Sequence, residues 1–268
     1  MHPLHNVRQI LNQESSVSSR PAPQELLPWA LSELQVPDGA APALSVVAGD
    51  ASPRRYFRLA FAARSYILVE APPATEKNAE FVSIAGQLHG ADVRVPAVLA
   101  VDYARGFLLL EDLGDRLLLP LLNSDFVDAY YRQAFGVLKR MAGADPTNAG
   151  LGAYDRTLLG EELSRFQQWF VQQLLGYTPT SAEQVVLDDL VALLIDRALQ
   201  QPRVLVHRDF HSRNLMLTDT GELAVIDFQD AVVGPITYDV VSLLRDCYIR
   251  WPAAQVEAWA LAYRELLL

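Results

Sequence analysis

Residues 204–217 read VLVHRDFHSRNLML, and the chain continues as TDTGELAVIDF up to Phe228. Val204–Val206 has the apolar character of a buried strand. It runs directly into two histidines, two arginines, an aspartate and an asparagine, then turns apolar again at Leu215. Such a switch costs free energy unless the polar cluster lines a cavity that uses it. Asn214 opens one strand and Asp227 closes the next, with TDTGE as the turn between them. In an antiparallel hairpin the first residue of one strand lies beside the last residue of its partner, with directly opposed residues about 5 Å apart. An amide oxygen and a carboxylate so placed can share one hard cation such as Mg2+. Asp209, on the loop leading into Asn214, falls close to the same point. Mg2+ takes few protein ligands and completes its shell with water and phosphate oxygens. Two such ligands beside a free carboxylate suit phosphoryl transfer, in which the carboxylate orients or deprotonates a hydroxyl.

Turn chemistry would account for Asp209, Asn214 or Asp227 taken singly, since Asp and Asn favour loops; it does not account for all three together. His207, Asp209 and His211 alternate, which raises a zinc site. No further His or Cys lies nearby to complete a zinc ligand set, however, and Asn214 would go unexplained. The simpler roles are His207 as a buttress of the loop through backbone hydrogen bonds and His211 as an acceptor contact or a structural residue. Arg213 is either a bidentate phosphate ligand or a solvated loop arginine.

The elements that must position this cluster follow from the rest of the chain. At 268 residues, 51% of them hydrophobic, it is long enough for one large domain or two lobes and is not a disordered protein. A formal charge of −10 argues against nucleic acid or an anionic membrane as partner. The one cysteine, Cys247, excludes a disulfide within the chain and fits a reducing cytoplasm. No signal-peptide core opens the sequence and no apolar run is long enough to span a bilayer. The expectation is a soluble cytoplasmic protein; nothing in the sequence identifies a protein partner.

Residues 1–22 are polar and serine-rich, a flexible lead-in. Residues 23–112 make a small lobe: a helix over 24–36, strands at 44–49, 55–61 and 64–71, a helix over 76–91, and strands at 98–104 and 106–113. A linker near 111–116 leads to a larger lobe, residues 113–268. Amphipathic spacing predicts helices over 124–144, 156–177 and 181–201, the first and last opening on Ser124 and Ser181 as N-caps. The polar-lined hairpin follows, then two helices from about 236 and 252. Phe166, Trp169 and Phe170, at helical spacing, are expected in the core, with stacking on a sugar ring as the other reading. AWALAYRELLL is still in helical rhythm at Leu268, which leaves open a lobe cut short. The fold class is α+β, a small antiparallel β lobe plus a larger, mainly helical one.

HRDFHSRN followed by VIDF resembles the H-R-D-x-x-x-x-N catalytic loop and the D-F-G-type metal motif of kinases. The second histidine, His211, is the mark of the aminoglycoside phosphotransferase and choline kinase branch. The resemblance implies a bilobal protein-kinase-like fold, ATP and Mg2+ as cofactors, Asp209 as catalytic base, and Asn214 and Asp227 as metal ligands. It also implies nucleotide contacts from the small lobe. AGDASPRRYFRL (48–59) lies where a phosphate-covering loop belongs, and Gly49, Asp50, Ala51 and Ser52 would bring backbone N–H groups to phosphate. LLLEDLGD (108–115) resembles the hinge that receives adenine, through main-chain groups from Glu111 to Leu113. The departure from the pattern is lysine: kinases place one on the third strand to hold phosphate. Here the two lysines are Lys77 and Lys139, and Glu70 stands about where the lysine belongs. Arg55 or Arg58 takes the duty, or the nucleotide is held differently, or the protein is a pseudokinase that binds nucleotide without turnover. The retained base and metal ligands argue against the last.

GDASPRRYFR, the missing lysine, HRDFHSRNLM and IDFQDAVVGPITYDVVSLLRDCYIRWP together most resemble the bacterial anomeric sugar kinases of peptidoglycan recycling, over most of residues 25–268. That resemblance implies ATP-dependent phosphorylation of the C1 hydroxyl of N-acetylmuramate and N-acetylglucosamine, a small-molecule sugar. Asp239 is then expected to order the loop after Asp227, and His211, Arg213 and Asp230 are candidate acceptor contacts, with Asp230 as a loop stabiliser the other reading. An aminoglycoside or other small-molecule hydroxyl kinase is the alternative within the same fold.

Overall fold

The structure, a computed structural model, describes residues 21–37, 42–47, 53–61, 63–145 and 150–268. The lead-in up to residue 20 lies outside the described residues. Two compact units divide the chain: residues up to Gly86 with Val95–Asp115, and Gln87–Arg94 with Arg116–Leu268.

The first unit is built on one antiparallel sheet of β1 (Ala43–Val46), β2 (Arg55–Phe61), β3 (Arg64–Glu70), β4 (Val98–Asp102) and β5 (Phe107–Glu111). Their order across the sheet is β1-β2-β3-β5-β4. Alternation along the strands puts Phe57, Leu59, Leu68, Phe107 and Leu109 on one face, and the pairings Phe57↔Leu68 and Leu68↔Leu109 align them across three strands. That face closes against Leu26, Trp29 and Ala30 of α1 (Leu26–Glu33). Each such large side chain contributes about 1.5–3 kcal/mol on burial. A second helix, α2 (Asn78–Gly90), buries Phe81, Ile84, Ala85 and Leu88, a helical stripe. The Asn78 amide donates to the Ala71 carbonyl at 2.8 Å and ties the start of α2 to the end of β3.

The second unit carries α3 (Val127–Gly143), α4 (Arg156–Arg165), α5 (Ser181–Leu199), α6 (Tyr238–Leu244) and α7 (Ala253–Leu267). Between the helices lie two small antiparallel ladders, β6 (Arg203–Val206) with β9 (Val232–Pro235), and β7 (Leu215–Leu217) with β8 (Leu223–Val225). Val127, Tyr131, Ala134, Phe135, Leu138 and Met141 of α3 recur at helical spacing and are all buried. Tyr131 and Phe135 meet Trp251, Trp259 and Tyr263 in an aromatic cluster. The polar ends of that cluster are satisfied: Trp251 Nε1 donates to the Tyr131 hydroxyl and Trp259 Nε1 to Asp128. Lys139 Nζ donates to the Leu266 carbonyl at 2.7 Å, a cation on the C-terminal turn of α7.

Four expectations are corrected. Ser124 does not cap α3. Asn123 Oδ1 accepts from the N–H groups of Asp125 and Phe126 instead, so the first turn is organised one residue earlier and the helix starts at Val127. Ser181 is the first helical residue of α5, not its cap. Thr180 accepts from Glu183 N while the Glu183 carboxylate accepts from Thr180 N, a full capping box. The helix over 156–177 changes register after Arg165 and continues as a π-helix over Phe166–Leu174. Phe166, Trp169 and Phe170 are not core; they are 54%, 57% and 46% exposed, and Val185, Val186, Leu190, Leu193 and Leu194 of α5 are exposed too. Spacing specifies that side chains share a face but not that another element covers it.

One glycine is indispensable to the sheet. Gly106 (φ +70) closes the turn from β4 to β5, and Ala71 N donates to its carbonyl at 2.7 Å. A Cβ there would lie 2.0 Å from the Ala71 oxygen. Gly106→Ala is therefore expected to lower the unfolding free energy by about 2 kcal/mol or more, through the left-handed backbone and the lost β3–β5 contact. Urea unfolding followed by circular dichroism checks this; an unchanged midpoint contradicts it.

Candidate functional site

The loop His207–Asn214 leaves β6 and is tied down on several sides. His207 is wholly buried, and its Nε2 lies 2.9 Å from the Ile226 carbonyl, an obligate acceptor, so Nε2 carries the proton. Nδ1 then accepts from Asp209 N at 3.3 Å. Burial pushes the His207 pKa down, keeping the ring neutral, as this pattern of hydrogen bonds requires. Asp239, in the first turn of α6 and 4% exposed, accepts from His207 N at 2.7 Å and from Arg208 N at 3.0 Å. The sequence suggests Asp239 as a tie for the loop after Asp227; its carboxylate instead holds the start of the loop before Asp209. Ser212 is fixed through its N–H and hydroxyl to Asp246, a second buried carboxylate.

Of the three residues singled out for chemistry, Asp209 and Asn214 are hydrogen-bonded to each other, and Asp227 follows Ile226, which is bonded to Asn214. Asp209 O accepts from His211 N at 2.9 Å and from the Asn214 side-chain amide at 3.0 Å. Asn214 O accepts from Ile226 N at 3.0 Å, extending the β7–β8 ladder by one residue beyond the pair Leu215↔Val225. Asn214 therefore stands across from Ile226, and Asp227 is the first residue to leave the ladder, in a left-handed conformation at φ +64. Its Oδ1 accepts from Gln229 Nε2 at 2.8 Å. Because Asn214 Nδ2 is engaged by the Asp209 carbonyl, the amide oxygen is the atom left for another ligand. An amide oxygen and a carboxylate are hard donors, and this set fits Mg2+.

Both ring nitrogens of His207 are engaged, so the alternation of His207, Asp209 and His211 does not make a zinc site. Among the described residues no group of three or more His, Cys, Asp or Glu is placed to hold a metal ion. Tyr248 lies between two of the candidate acceptor residues: the His211 ring meets it edge-on at 5.3 Å and the Arg213 guanidinium lies 4.9 Å from its centroid. Tyr248 and Asp246 were missed by sequence reasoning; the run RDCY at 245–248 carries no motif that would have flagged them. The third acceptor candidate, Asp230, offers its backbone carbonyl to Arg208 Nη1 at 3.4 Å.

In the first unit, Gly49, Asp50, Ala51 and Ser52 lie outside the described residues. Glu111 ends β5; its N–H donates to the Ala97 carbonyl and its carboxylate accepts from Ala97 N. Leu113 follows in a turn gripped by Arg58. That guanidinium reaches both carboxylate oxygens of Asp112 (2.6 and 3.0 Å), both of Asp115 (2.7 and 2.9 Å) and the Gly114 carbonyl. Burial pushes the Asp112 carboxyl up, yet Arg58 together with the Gly114 N–H and Ser65 holds it below the usual carboxylate range. Arg55 pairs with Glu70, directly across the β2–β3 ladder, and lies over Phe57 on the α1 side of the sheet. The two arginines proposed in place of the lysine are thus committed to carboxylates. Arg54, to which the sequence drew no attention, is 3% exposed, with Nε 3.2 Å from Glu76 and the guanidinium 5.1 Å from the Phe81 ring.

A small antiparallel sheet unit and a helical unit carrying this loop and hairpin define an α+β fold of the protein-kinase-like kind. Choline kinase LicA from Streptococcus pneumoniae superimposes with a TM-score of 0.64 at 15% identity, over 90% of this chain and 79% of that one. The model of the phosphotransferase enzyme family matches residues 43–267, and the chain belongs to that family. It is 44% identical over 225 residues to the N-acetylmuramate/N-acetylglucosamine kinase of Pseudomonas putida, covering 84% of this chain and 65% of that protein. It is 40% identical over 242 residues to the protein of the same name from Pseudomonas aeruginosa, covering 88% and 71%. The chain thus spans about two thirds of the length of these curated relatives.

The Asp239 tether has a consequence for pH. Burial pushes its carboxyl from 3.8 up to about 7, against the two N–H donors, which favour the charged form. The folded state then binds the proton more tightly than the unfolded one. This group's contribution to stability is fully present below about pH 4 and is lost as the pH rises through about 7. Asp239→Asn removes the titration and is expected to flatten the fall in unfolding free energy between pH 4 and 7 by a few kcal/mol, since each tenfold difference in proton affinity is worth about 1.4 kcal/mol. Urea titrations of both proteins across that range check it; parallel pH profiles contradict it.

Proposed function

We propose that this protein is an ATP-dependent kinase that phosphorylates the anomeric hydroxyl of N-acetylmuramate and N-acetylglucosamine, a cytoplasmic step in the recycling of cell-wall sugars. The observation that carries the reaction class is the hydrogen-bonded circuit Asp209–Asn214–Ile226. It keeps a free carboxylate, an amide oxygen and the carboxylate next to Ile226 on one loop-and-hairpin framework. The acceptor is supported by 44% and 40% identity to kinases named for those two sugars.

In this reading Asp209 is the base. Its carboxylate takes the proton of the acceptor hydroxyl as that oxygen attacks the γ-phosphorus of ATP. The new O–P bond forms as the bond from the γ-phosphorus to the β,γ-bridging oxygen breaks, and ADP leaves with that oxygen. Asn214 Oδ1 and the Asp227 carboxylate would hold Mg2+, which when bound neutralises phosphate charge. His207, neutral and engaged at both nitrogens, ties the backbone N–H of Asp209 to the Ile226 carbonyl beside Asp227. Gly49, Asp50, Ala51 and Ser52 are assigned to phosphate and the main chain of Glu111 and Leu113 to adenine. Arg55 would reach phosphate only by leaving Glu70. His211, Arg213 and Asp230, with Tyr248 between the first two, are assigned to the acceptor side.

Incubation with ATP, Mg2+ and either sugar should give ADP and a sugar 1-phosphate by 31P NMR. Phosphorylation of an aminoglycoside in place of both sugars would move the assignment to the antibiotic kinases, and nucleotide binding with no turnover would make the protein a pseudokinase. Asp209→Asn should keep the fold and nucleotide binding while cutting kcat by about 10²–10⁴; near-normal turnover would remove Asp209 from the role of base.

A further inference from the structure

Arg208 lies between the buttress His207 and Asp209, and phosphoryl transfer itself gives its guanidinium nothing to do. The side chain is nevertheless held on several sides. Nη2 donates to Glu162 Oε1 at 2.5 Å, Nη1 reaches the Asp230 carbonyl at 3.4 Å, and the Tyr154 ring lies 5.8 Å from the guanidinium carbon. The other oxygen of Glu162 accepts from the hydroxyls of Tyr154 and Tyr238, the latter at 2.8 Å, and the two phenol rings pack at 4.9 Å. Glu162 belongs to α4, Tyr238 opens α6 and Asp230 follows Asp227, so distant stretches of chain converge on the Glu162–Arg208 pair. Burial pushes the Glu162 carboxyl up, but its three donors hold it below the usual range, and Tyr238 is pushed up to about 12. The carboxylate stays ionised and the hydroxyls stay donors.

Arg208 also has φ +79, a conformation uncommon for residues with a side chain. Such strain costs roughly 1–3 kcal/mol and persists only where the surroundings over-determine it. Here Asp239 fixes the backbone N–H and Glu162 fixes the side chain. An ion pair with its charges mostly removed from water is weak as a source of stability; fixing one geometry is what this one can do. We propose that Glu162 is a positioning residue for the transfer step: by gripping Arg208 it holds Asp209, the next residue, and through the Asp230 carbonyl the segment that begins at Asp227, in a single arrangement. The inference rests on the reading of Asp209 as base.

The test compares Glu162→Gln, Arg208→Met and the double variant. Loss of the grip should lower kcat about 10- to 100-fold, the scale of a small misplacement of reacting groups. KM for ATP and for the sugar should stay within about threefold, since neither is contacted by Glu162 in this reading. The double variant should be no slower than Arg208→Met alone, because Glu162 acts through Arg208. Tyr238→Phe, which removes one donor and leaves the ion pair, should give a smaller loss and covers the case in which Glu162→Gln folds poorly. Wild-type turnover in Glu162→Gln, or losses that multiply in the double variant, would overturn the proposal. Hydrogen exchange decides it without any activity assay, so that failure of the kinase reading stays separable. The amides of residues 207–214 should exchange faster in Glu162→Gln while those of α7 do not, and unchanged exchange in the loop would equally overturn it.

Discussion

The buried carboxylate of Asp239, accepting from His207 N and Arg208 N, is the constraint on which the rest of the site depends. Burying a carboxylate is costly, and two backbone donors only partly offset it. The return is positional. The loop leaves β6 in a direction fixed from α6, which allows His207 to bridge to Ile226 and Asp209 to stay bonded to Asn214. Neither His207 nor Asp239 faces a ligand in the proposed reaction; each ties the polar loop to another part of the chain through buried hydrogen bonds. Rigidity is what a phosphoryl-transfer site needs, because positioning and electrostatics supply nearly all of its catalysis.

Much of this was legible in the chain. The strands around Arg55, Arg64, Val98 and Phe107 follow from short strand-like apolar segments with short connections between them, and the β7–β8 hairpin from Leu215, Met216 and Leu217 facing Leu223, Ala224 and Val225 across TDTGE. Asp209, Asn214 and Asp227 stand out in the sequence because their types, order and separations match a motif with a mechanism. The network behind them was not legible. Glu162 looks like any exposed-face glutamate of an amphipathic helix, and Tyr154 precedes that helix with no pattern to mark it. Their significance arises from contacts to Arg208 and Tyr238, which lie 46 and 76 residues from Glu162 in the chain. Local signals also misplaced the cap of α5: Thr180 and Ser181 are adjacent and chemically alike, and only Glu183 three residues on singles out Thr180. Phe166, Trp169 and Phe170 were misassigned because the π-register and the absence of a covering element among the described residues are not written in apolar spacing.

In the sheet unit the arginines of the β2 region are all paired with carboxylates. Arg54, just before β2, and Arg55, its first residue, reach different carboxylates. Arg55 goes to Glu70 on the α1 side, and Arg54 to Glu76 and Phe81 at the start of α2. Arg58, two strand positions beyond Tyr56 and on its face, gathers Asp112, Gly114 and Asp115 into one turn directly after β5. Arginine suits the Arg58 position where lysine would not, since a planar fork can meet two carboxylates at once. Arg54 and Arg55 each reach one carboxylate and Arg58 reaches two, so all three guanidinium groups are engaged within the sheet unit.

The central claim is that the groups at 209, 214 and 227 surround one metal–nucleotide complex. Replacing Mg2+ with Mn2+ in the ADP complex and recording amide NMR signals tests it most directly, because paramagnetic broadening falls steeply with distance. The account predicts that the backbone signals of Asp209, Asn214 and Asp227 and the side-chain amide of Asn214 all broaden together at low Mn2+ occupancy. Sharp signals from any of these residues, with broadening elsewhere in the protein, would contradict it.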